Sequence, residues 1–139
     1  MCLNLNILSL KKTLFSEKIN SVSVPGELGY FSIFINHISL LTFLKSGLII
    51  INKKNRNIEY FFIFKGILEV RSNIVNILTN YSMNIKCLNK SVLIHKKNKI
   101  EDKYKNIKNL TSSNKIKIKY FIILEQLNCI SKVKKLKKK

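Results

Sequence analysis

The first 84 residues are written almost entirely in short apolar runs of strand length, broken by turn residues at close intervals. Leu3, Leu5 and Ile7 fall at every second position, with Asn4 and Asn6 between them. A period of two puts one set of side chains on one face of a strand and the other set on the opposite face. Val22 and Val24 alternate with Ser21 and Ser23 in the same way. Gly47 opens the run Leu48–Ile51, and Asn52–Asn55 reads as a hairpin turn into Ile58–Phe64. Gly66 interrupts that run. Ile67–Val70 and Ile74–Leu78, joined through Ser72-Asn73, read as a second hairpin. No long helical segment separates these runs, whereas parallel strands need such crossovers. The pattern predicts an antiparallel sandwich or barrel.

The texture changes after Met83. Within Leu88–Leu110 a partial helical stripe appears at Leu93, Ile100, Tyr104 and Ile107. Thr111-Ser112-Ser113-Asn114 is a polar break with good N-cap residues. Beyond it, Ile116, Tyr120, Ile123, Leu127 and Ile130 alternate between spacings of four and three, one face of a helix, and Val133 continues the series. Ile118, Phe121 and Ile122 lie off this stripe. Either they cover a second surface or the start of the segment is strand-like. Two helices joined by a short polar loop pack as an antiparallel hairpin. The expected organisation is therefore a β-domain over 1–84 and a helical hairpin with a basic tail over 85–139.

A chain of 139 residues suffices for one moderate domain, or a small domain with an appendage. No run is long and apolar enough to suggest a transmembrane segment. Met1–Leu10 lacks the basic start of a secretory signal, and no small-residue cleavage site follows. Cys2, Cys87 and Cys129 are odd in number and widely spaced, which points to reduced thiols in a cytosolic setting. The formal net charge is +19. Nearly all of the cations are lysines, Arg56 and Arg71 being the two arginines, and alanine is absent. Lys, Asn and Ile share A/T-rich codons, a pattern that fits mutational bias in an AT-rich genome. The distribution of charge therefore says more than its total. Lysines thicken after Lys86 and culminate in Lys134-Lys135-Leu136-Lys137-Lys138-Lys139.

The residues hold no strong catalytic constellation. Glu101 and Asp102 are adjacent, and on a helix adjacent positions diverge by about 100°, a poor acid–base pair. His37 and His95 have no Cys, Asp or second His at metal-ligand spacing. Gly26 and Gly29 flank Glu27-Leu28 without the helix and Lys-Ser/Thr of a phosphate loop. Phe61, Phe62 and Phe64 sit inside strand runs as core, not interleaved with lysine as a base-stacking platform. A stand-alone enzyme and a nucleic-acid binder are both disfavoured. The runner-up reading is a small basic RNA-binding β-domain protein, and a steep salt dependence of nucleic-acid affinity would mark it.

Two motifs in order carry a resemblance. "VPGELGYFSIFINHISLLTFLKSG" (Val24–Gly47) resembles the signature of the epsilon subunit of bacterial F-type ATP synthase, with Asn36-His37, Leu40-Leu41-Thr42 and Ser46-Gly47 at matching places. "FKGILEVRSNIVNILTN" (Phe64–Asn80) is similar to that family's "GGILEV…VLAD" hairpin, with Gly66, Leu68, Glu69 and Val70 identical. Leu88-Asn89 falls where the family begins its first C-terminal helix. The resemblance implies an N-terminal antiparallel β-sandwich followed by a C-terminal antiparallel two-helix hairpin, and it extends over essentially the whole chain.

The resemblance further implies a non-catalytic subunit of the central stalk, binding the gamma subunit and the c-ring so that ion flow drives ATP synthesis. Leu28, Gly29, Tyr30, Asn36, His37, Leu40 and Leu41 become the c-ring and gamma interface candidates. The hairpin becomes a candidate inhibitor of ATP hydrolysis. Its regulatory candidates are Lys132, Lys134 and Lys135, which would meet acidic loops of the catalytic beta subunits. The subunit would sit peripherally on the cytoplasmic face of the bacterial inner membrane. This chain departs from the family pattern at two places. Leu28 and Tyr30 stand where acids are common, so the turn is less acidic. Asn89 replaces the Asp, and Val92 the Arg, of members that bind ATP on the hairpin, and the second segment has no Arg. Lys does not reproduce the planar fork of Arg, so neither ATP nor another cofactor is expected.

Overall fold

The computed structural model describes residues 2–106 and 113–137. It divides into two compact units, Met1–Ile85 and Lys86–Lys139.

The first unit holds β1 (Leu3–Leu8), β2 (Thr13–Gly26), β3 (Gly29–Ile33), β4 (Leu40–Leu44), β5 (Gly47–Lys53), β6 (Ile58–Ile63), β7 (Gly66–Arg71), β8 (Ile74–Thr79) and β9 (Ser82–Asn84). Their order is β1-β8-β7-β4-β2-β5-β6-β9, with β3 on β2 and a further pairing of β1 with β2. All pairings are antiparallel except β1 with β8. The long strand β2 makes this a sandwich. Its first half pairs with β1, from Thr13↔Leu8 to Ile19↔Leu3. Its second half pairs with β3 and β5, and Gly26 meets β4. The β2–β5 register shifts between Ile19 and Ser21, and such an irregularity bends a strand from one layer into the next.

The period-two residues fill the space between the layers. Leu3, Leu5 and Ile7 are fully buried with Ile19, Val22, Ile33, Ile49, Ile51, Ile63, Val75 and Ile77. The alternation on each strand thus converts directly into one apolar core. The β7–β8 turn is Ser72-Asn73, both left-handed at φ 49° and 62°, the two-residue loop whose twist matches the flanking strands. Lys53 ties three strands together at the solvent edge. Its ammonium lies 2.8 Å from Glu17 and 2.7 Å from Glu59, and 5.4 Å over the Phe15 ring. Two strand limits differ from the sequence expectation. β5 runs through Asn52 and Lys53, the turn following with Arg56 at φ 62°, and β6 stops at Ile63 rather than Phe64.

A 3₁₀ turn (Ile85–Cys87) spans the boundary, and the second unit holds α1 (Lys90–Asn106) and α2 (Ser113–Lys137). The Asn89 side chain caps α1, accepting from the Ser91 backbone N–H at 3.0 Å. Leu93, Ile123 and Ile130 are buried between the helices, with Leu88, Ile100 and Leu127 packed around them. The Tyr120 hydroxyl donates to Glu101 at 2.8 Å. Gln126, Cys129 and Val133 are buried as well, a second buried row on α2. The start of this segment is helical, not strand-like, because α2 already includes Ser113 and Asn114. Thr111, Ser112 and Ile107 lie outside the described residues, as do the side chains of Tyr104 and Ile116. No helix among the described residues is long and apolar enough to cross a membrane.

Candidate interaction surface

The Asn36-His37 pair sits in the loop between β3 and β4, and its backbone is fixed from outside the loop. Asn36 is left-handed at φ 66°, a conformation asparagine tolerates better than most residues. Its N–H donates to the Asn73 side-chain oxygen at 2.7 Å, and the Asn73 amide returns a bond to Asn36 Oδ1 at 3.3 Å. Asn73 in turn accepts from the Asn4 N–H at 2.9 Å through its own carbonyl. Two left-handed asparagines therefore clasp the β3–β4 loop to the β7–β8 turn and the start of β1. His37 Nδ1 lies 2.7 Å from the Ile38 carbonyl oxygen. A carbonyl only accepts, so Nδ1 carries the hydrogen, and in the neutral ring Nε2 is left as an acceptor.

Leu28 and Tyr30 belong to a different place. Gly26 pairs with Gly29 across the β2–β3 turn, and Gly29 has φ 129°. A Cβ on Gly26 would lie 2.7 Å from the Phe31 ring and 2.9 Å from the Gly29 oxygen, so the turn closes only around glycine. Leu28 projects from this tip at 105% relative exposure. The Tyr30 hydroxyl accepts from the Leu48 N–H at 3.0 Å, stitching the tip to β5 while the ring stays half exposed. β3 separates this tip from the His37 loop by about 15 Å, at about 3.3 Å per residue. Leu40 packs partly onto the core, whereas Leu41 faces out. The candidates thus fall into two groups at opposite ends of β3.

On β4, β7, β8 and β1 runs an apolar surface that reading the sequence for its core passes over. Phe43 pairs with Ile67, Ile67 with Leu78, and Leu78 with Leu8. Directly opposite residues share a face, so these four form one row across the outside of β4, β7, β8 and β1. Phe43, Ile67 and Leu78 are all exposed. The row borders a shallow groove of about 230 Å³ reaching Leu10 and Phe64, with Lys65 on its edge. The neighbouring row is mostly polar: Leu41, Glu69, Asn76 and Asn6, with Ser16 beyond. There Asn6 donates to Asn76 at 2.9 Å and accepts from Ser16 at 2.7 Å. The available signal was a large apolar residue on the solvent phase of four strands at once.

Lys132, Lys134 and Lys135 are exposed on the last turns of α2, where cations complement the helix dipole. Among the described residues no group of three His, Cys, Asp or Glu could hold a metal ion. The surface features on these elements are an apolar row, a protruding leucine tip, a fixed histidine loop and a cationic helix end.

The fold is a β-sandwich with an apolar outer row, followed by two helices. A family model described as ATP synthase, Delta/Epsilon chain, beta-sandwich domain matches residues 2–84. An "ATP synthase epsilon chain" of Polaromonas naphthalenivorans (strain CJ2) is 30% identical over 107 residues, covering 77% of this chain and 78% of that one. The fold is similar to a chain in the cryo-EM structure of the Euglena gracilis mitochondrial ATP synthase, OSCP/F1/c-ring. There the TM-score is 0.72 at 13% identity, over 95% of this chain and 81% of that one. A chain of the Tetrahymena thermophila mitochondrial ATP synthase central stalk/c-ring structure aligns at TM-score 0.51 and 15% identity, over 61% of this chain and 68% of that one. At such identities these two likenesses speak for the fold. The chain belongs to the ATP synthase epsilon chain family.

Proposed function

We propose that this chain is a non-catalytic central-stalk subunit of a rotary ATP synthase, coupling ion flow to ATP synthesis. Its sandwich binds the gamma subunit and the c-ring. The observation that carries the reading is the Phe43–Ile67–Leu78–Leu8 row, an apolar strip beside a mostly polar row on the same sheet face. Exposed apolar strips of this kind mark protein contacts. In this reading gamma covers the row and the His37 loop, where Nε2 accepts a hydrogen bond from gamma. The tip at Leu28, Gly29 and Tyr30 meets the c-ring by apolar rather than charged contact. The complex places the subunit peripherally at the cytoplasmic face of the bacterial inner membrane. The hairpin inhibits ATP hydrolysis by presenting Lys132, Lys134 and Lys135 to acidic loops of the catalytic beta subunits.

The test is a pull-down with purified gamma from the same source at low and high salt. A stoichiometric complex that survives high salt and is lost with Phe43→Asp fits the reading. No complex at any salt overturns it. Charge reversal at Lys132, Lys134 and Lys135 weakens inhibition of hydrolysis, and unchanged inhibition removes the hairpin from that role.

A further inference from the structure

Cys2 and Lys54 stand 52 positions apart in the chain, yet Lys54 Nζ donates to Cys2 Sγ at 2.7 Å. The pairing of three strands builds this contact. Ile19 of β2 pairs with Leu3 of β1 on one side and with Lys53 of β5 on the other. Cys2 precedes Leu3 and Lys54 follows Lys53, so each stands next to a partner of the same Ile19. Both of those partners are held firmly. Leu3 is fully buried. The Lys53 ammonium is bound by Glu17 and Glu59, and its carbonyl accepts from the Asn20 amide at 3.4 Å and the Arg56 N–H at 3.2 Å. Cys2 is partly exposed and Lys54 is exposed, so a small reagent reaches both. The Lys54 ammonium lowers the Cys2 thiol from its ordinary value, chiefly through their hydrogen bond. The thiolate is the nucleophilic form of cysteine, and here a primary amine lies against it.

We propose that Cys2 and Lys54 form an acyl-transfer pair, in which Cys2 takes an acyl group from a small acyl thioester and passes it to the Lys54 amine. In the first step the Cys2 thiolate attacks the thioester carbonyl. A bond forms from Sγ to the carbonyl carbon, and the bond to the donor sulfur breaks, the donor leaving as thiolate. In the second step Lys54, its first proton gone to water, attacks the same carbonyl carbon through Nζ. The N–C bond forms and the Sγ–C bond breaks. The nitrogen releases a second proton to the departing Sγ, which becomes a thiol. One thioester and one ammonium thus become one amide and one thiolate, with no oxidant or reductant. The contact at 2.7 Å makes the second step intramolecular, and such proximity outweighs a random encounter in solution by orders of magnitude. Acylation removes the Lys54 charge, so each pair reacts once. Neither residue belongs to the outer row of the sandwich, so the inference stands whether or not gamma binds that row.

The test incubates the full chain with acetyl-coenzyme A and follows acetylation of each lysine by peptide mapping and mass spectrometry. Lys11 and Lys12, exposed in the β1–β2 turn, serve as controls within the same molecule. Lys54 is acetylated about tenfold or more faster than either control. Cys2→Ser lowers the Lys54 rate to that of the controls and leaves the controls unchanged. Lys54→Arg keeps a cation beside the thiol but offers no acceptor amine, so a hydroxylamine-labile acetyl group stays on Cys2. The first and second readings are ratios within one molecule, so a change in overall stability does not produce them. Three results overturn the proposal. One is Lys54 acetylated no faster than Lys11 and Lys12. The second is a fast Lys54 that Cys2→Ser leaves unchanged. The third is an acetyl group that stays on Cys2 in the wild type without passing to Lys54.

Discussion

Asn73 holds the His37 loop by two separable means, and two substitutions tell them apart. Its side-chain oxygen accepts the Asn36 N–H at 2.7 Å, and its own backbone is left-handed at φ 62°. Asn73→Ala removes this hydrogen bond, with the longer return bond to Asn36 Oδ1 at 3.3 Å, and puts a Cβ-bearing residue without asparagine's tolerance into that conformation. The bond is exposed, so its loss costs about 0.5–1 kcal/mol, the low end for an intramolecular hydrogen bond. The left-handed backbone adds about 1 kcal/mol for alanine. Together these give about 2 kcal/mol, a fall in midpoint of about 10 °C for a unit of this size. Asn73→Gly loses the same bond but accepts positive φ, offset in part by the entropy of a more flexible unfolded chain. It is expected to be more stable than Asn73→Ala by about 0.5–1 kcal/mol. Thermal denaturation followed by near-ultraviolet circular dichroism reads both. A glycine variant less stable than the alanine variant would refute the argument from backbone conformation.

Ser46 Oγ is buried without a hydrogen-bond partner among the described residues. Ser46→Ala should therefore raise the midpoint, by about 1 kcal/mol in stability, and a lowered midpoint in a thermal melt would show that the hydroxyl is satisfied. Cys129 is buried and its thiol is pushed up to about 11 by desolvation, from 9.0. The folded state thus prefers the neutral thiol. That stability is fully present below about pH 9 and is lost as pH rises through about 11. Helicity of the wild type should fall more steeply than that of Cys129→Ala between those values, and parallel curves would contradict this. Cys2 Sγ lies 2.7 Å from the Lys54 ammonium, which lowers its thiol by hydrogen bonding. Timed alkylation with peptide mapping should label Cys2 before Cys129, and the reverse order would count against the described environments.

Where a strand has one partner set and one buried face, its sequence was legible. Leu3, Leu5 and Ile7 declared β1, and Ser72-Asn73 declared the β7–β8 turn, because burial and backbone chirality act locally there. β2 was visible only around Val22 and Val24. Its first half carries Glu17 and Lys18 at the solvent edge, and its length follows from pairing with two layers, which no local pattern encodes. The parallel β1–β8 pairing joins residues some seventy positions apart, as in Asn6 to Asn76, and leaves no trace in either segment. The two groups of surface candidates were marked by a motif rather than by a physical pattern. The Phe43 row was missed because each member looks like an ordinary strand residue until the register sets the four side by side. In α2 the stripe was seen, but the buried Gln126 and Cys129 were not. A polar amide and a thiol carry little apolar signal, and the outward Ile118 and Phe121 blurred the period.

The central claim is that a partner chain covers the outer row of the sandwich. Photo-crosslinking in the reconstituted complex with gamma tests it most directly, with a benzophenone side chain at position 43, 67 or 78 and a control at exposed position 58 on β6. Crosslinks to gamma from positions 43, 67 and 78, with none from 58, are the predicted result. Crosslinks from 58 alone, or none from the row in a complex that forms, would contradict it.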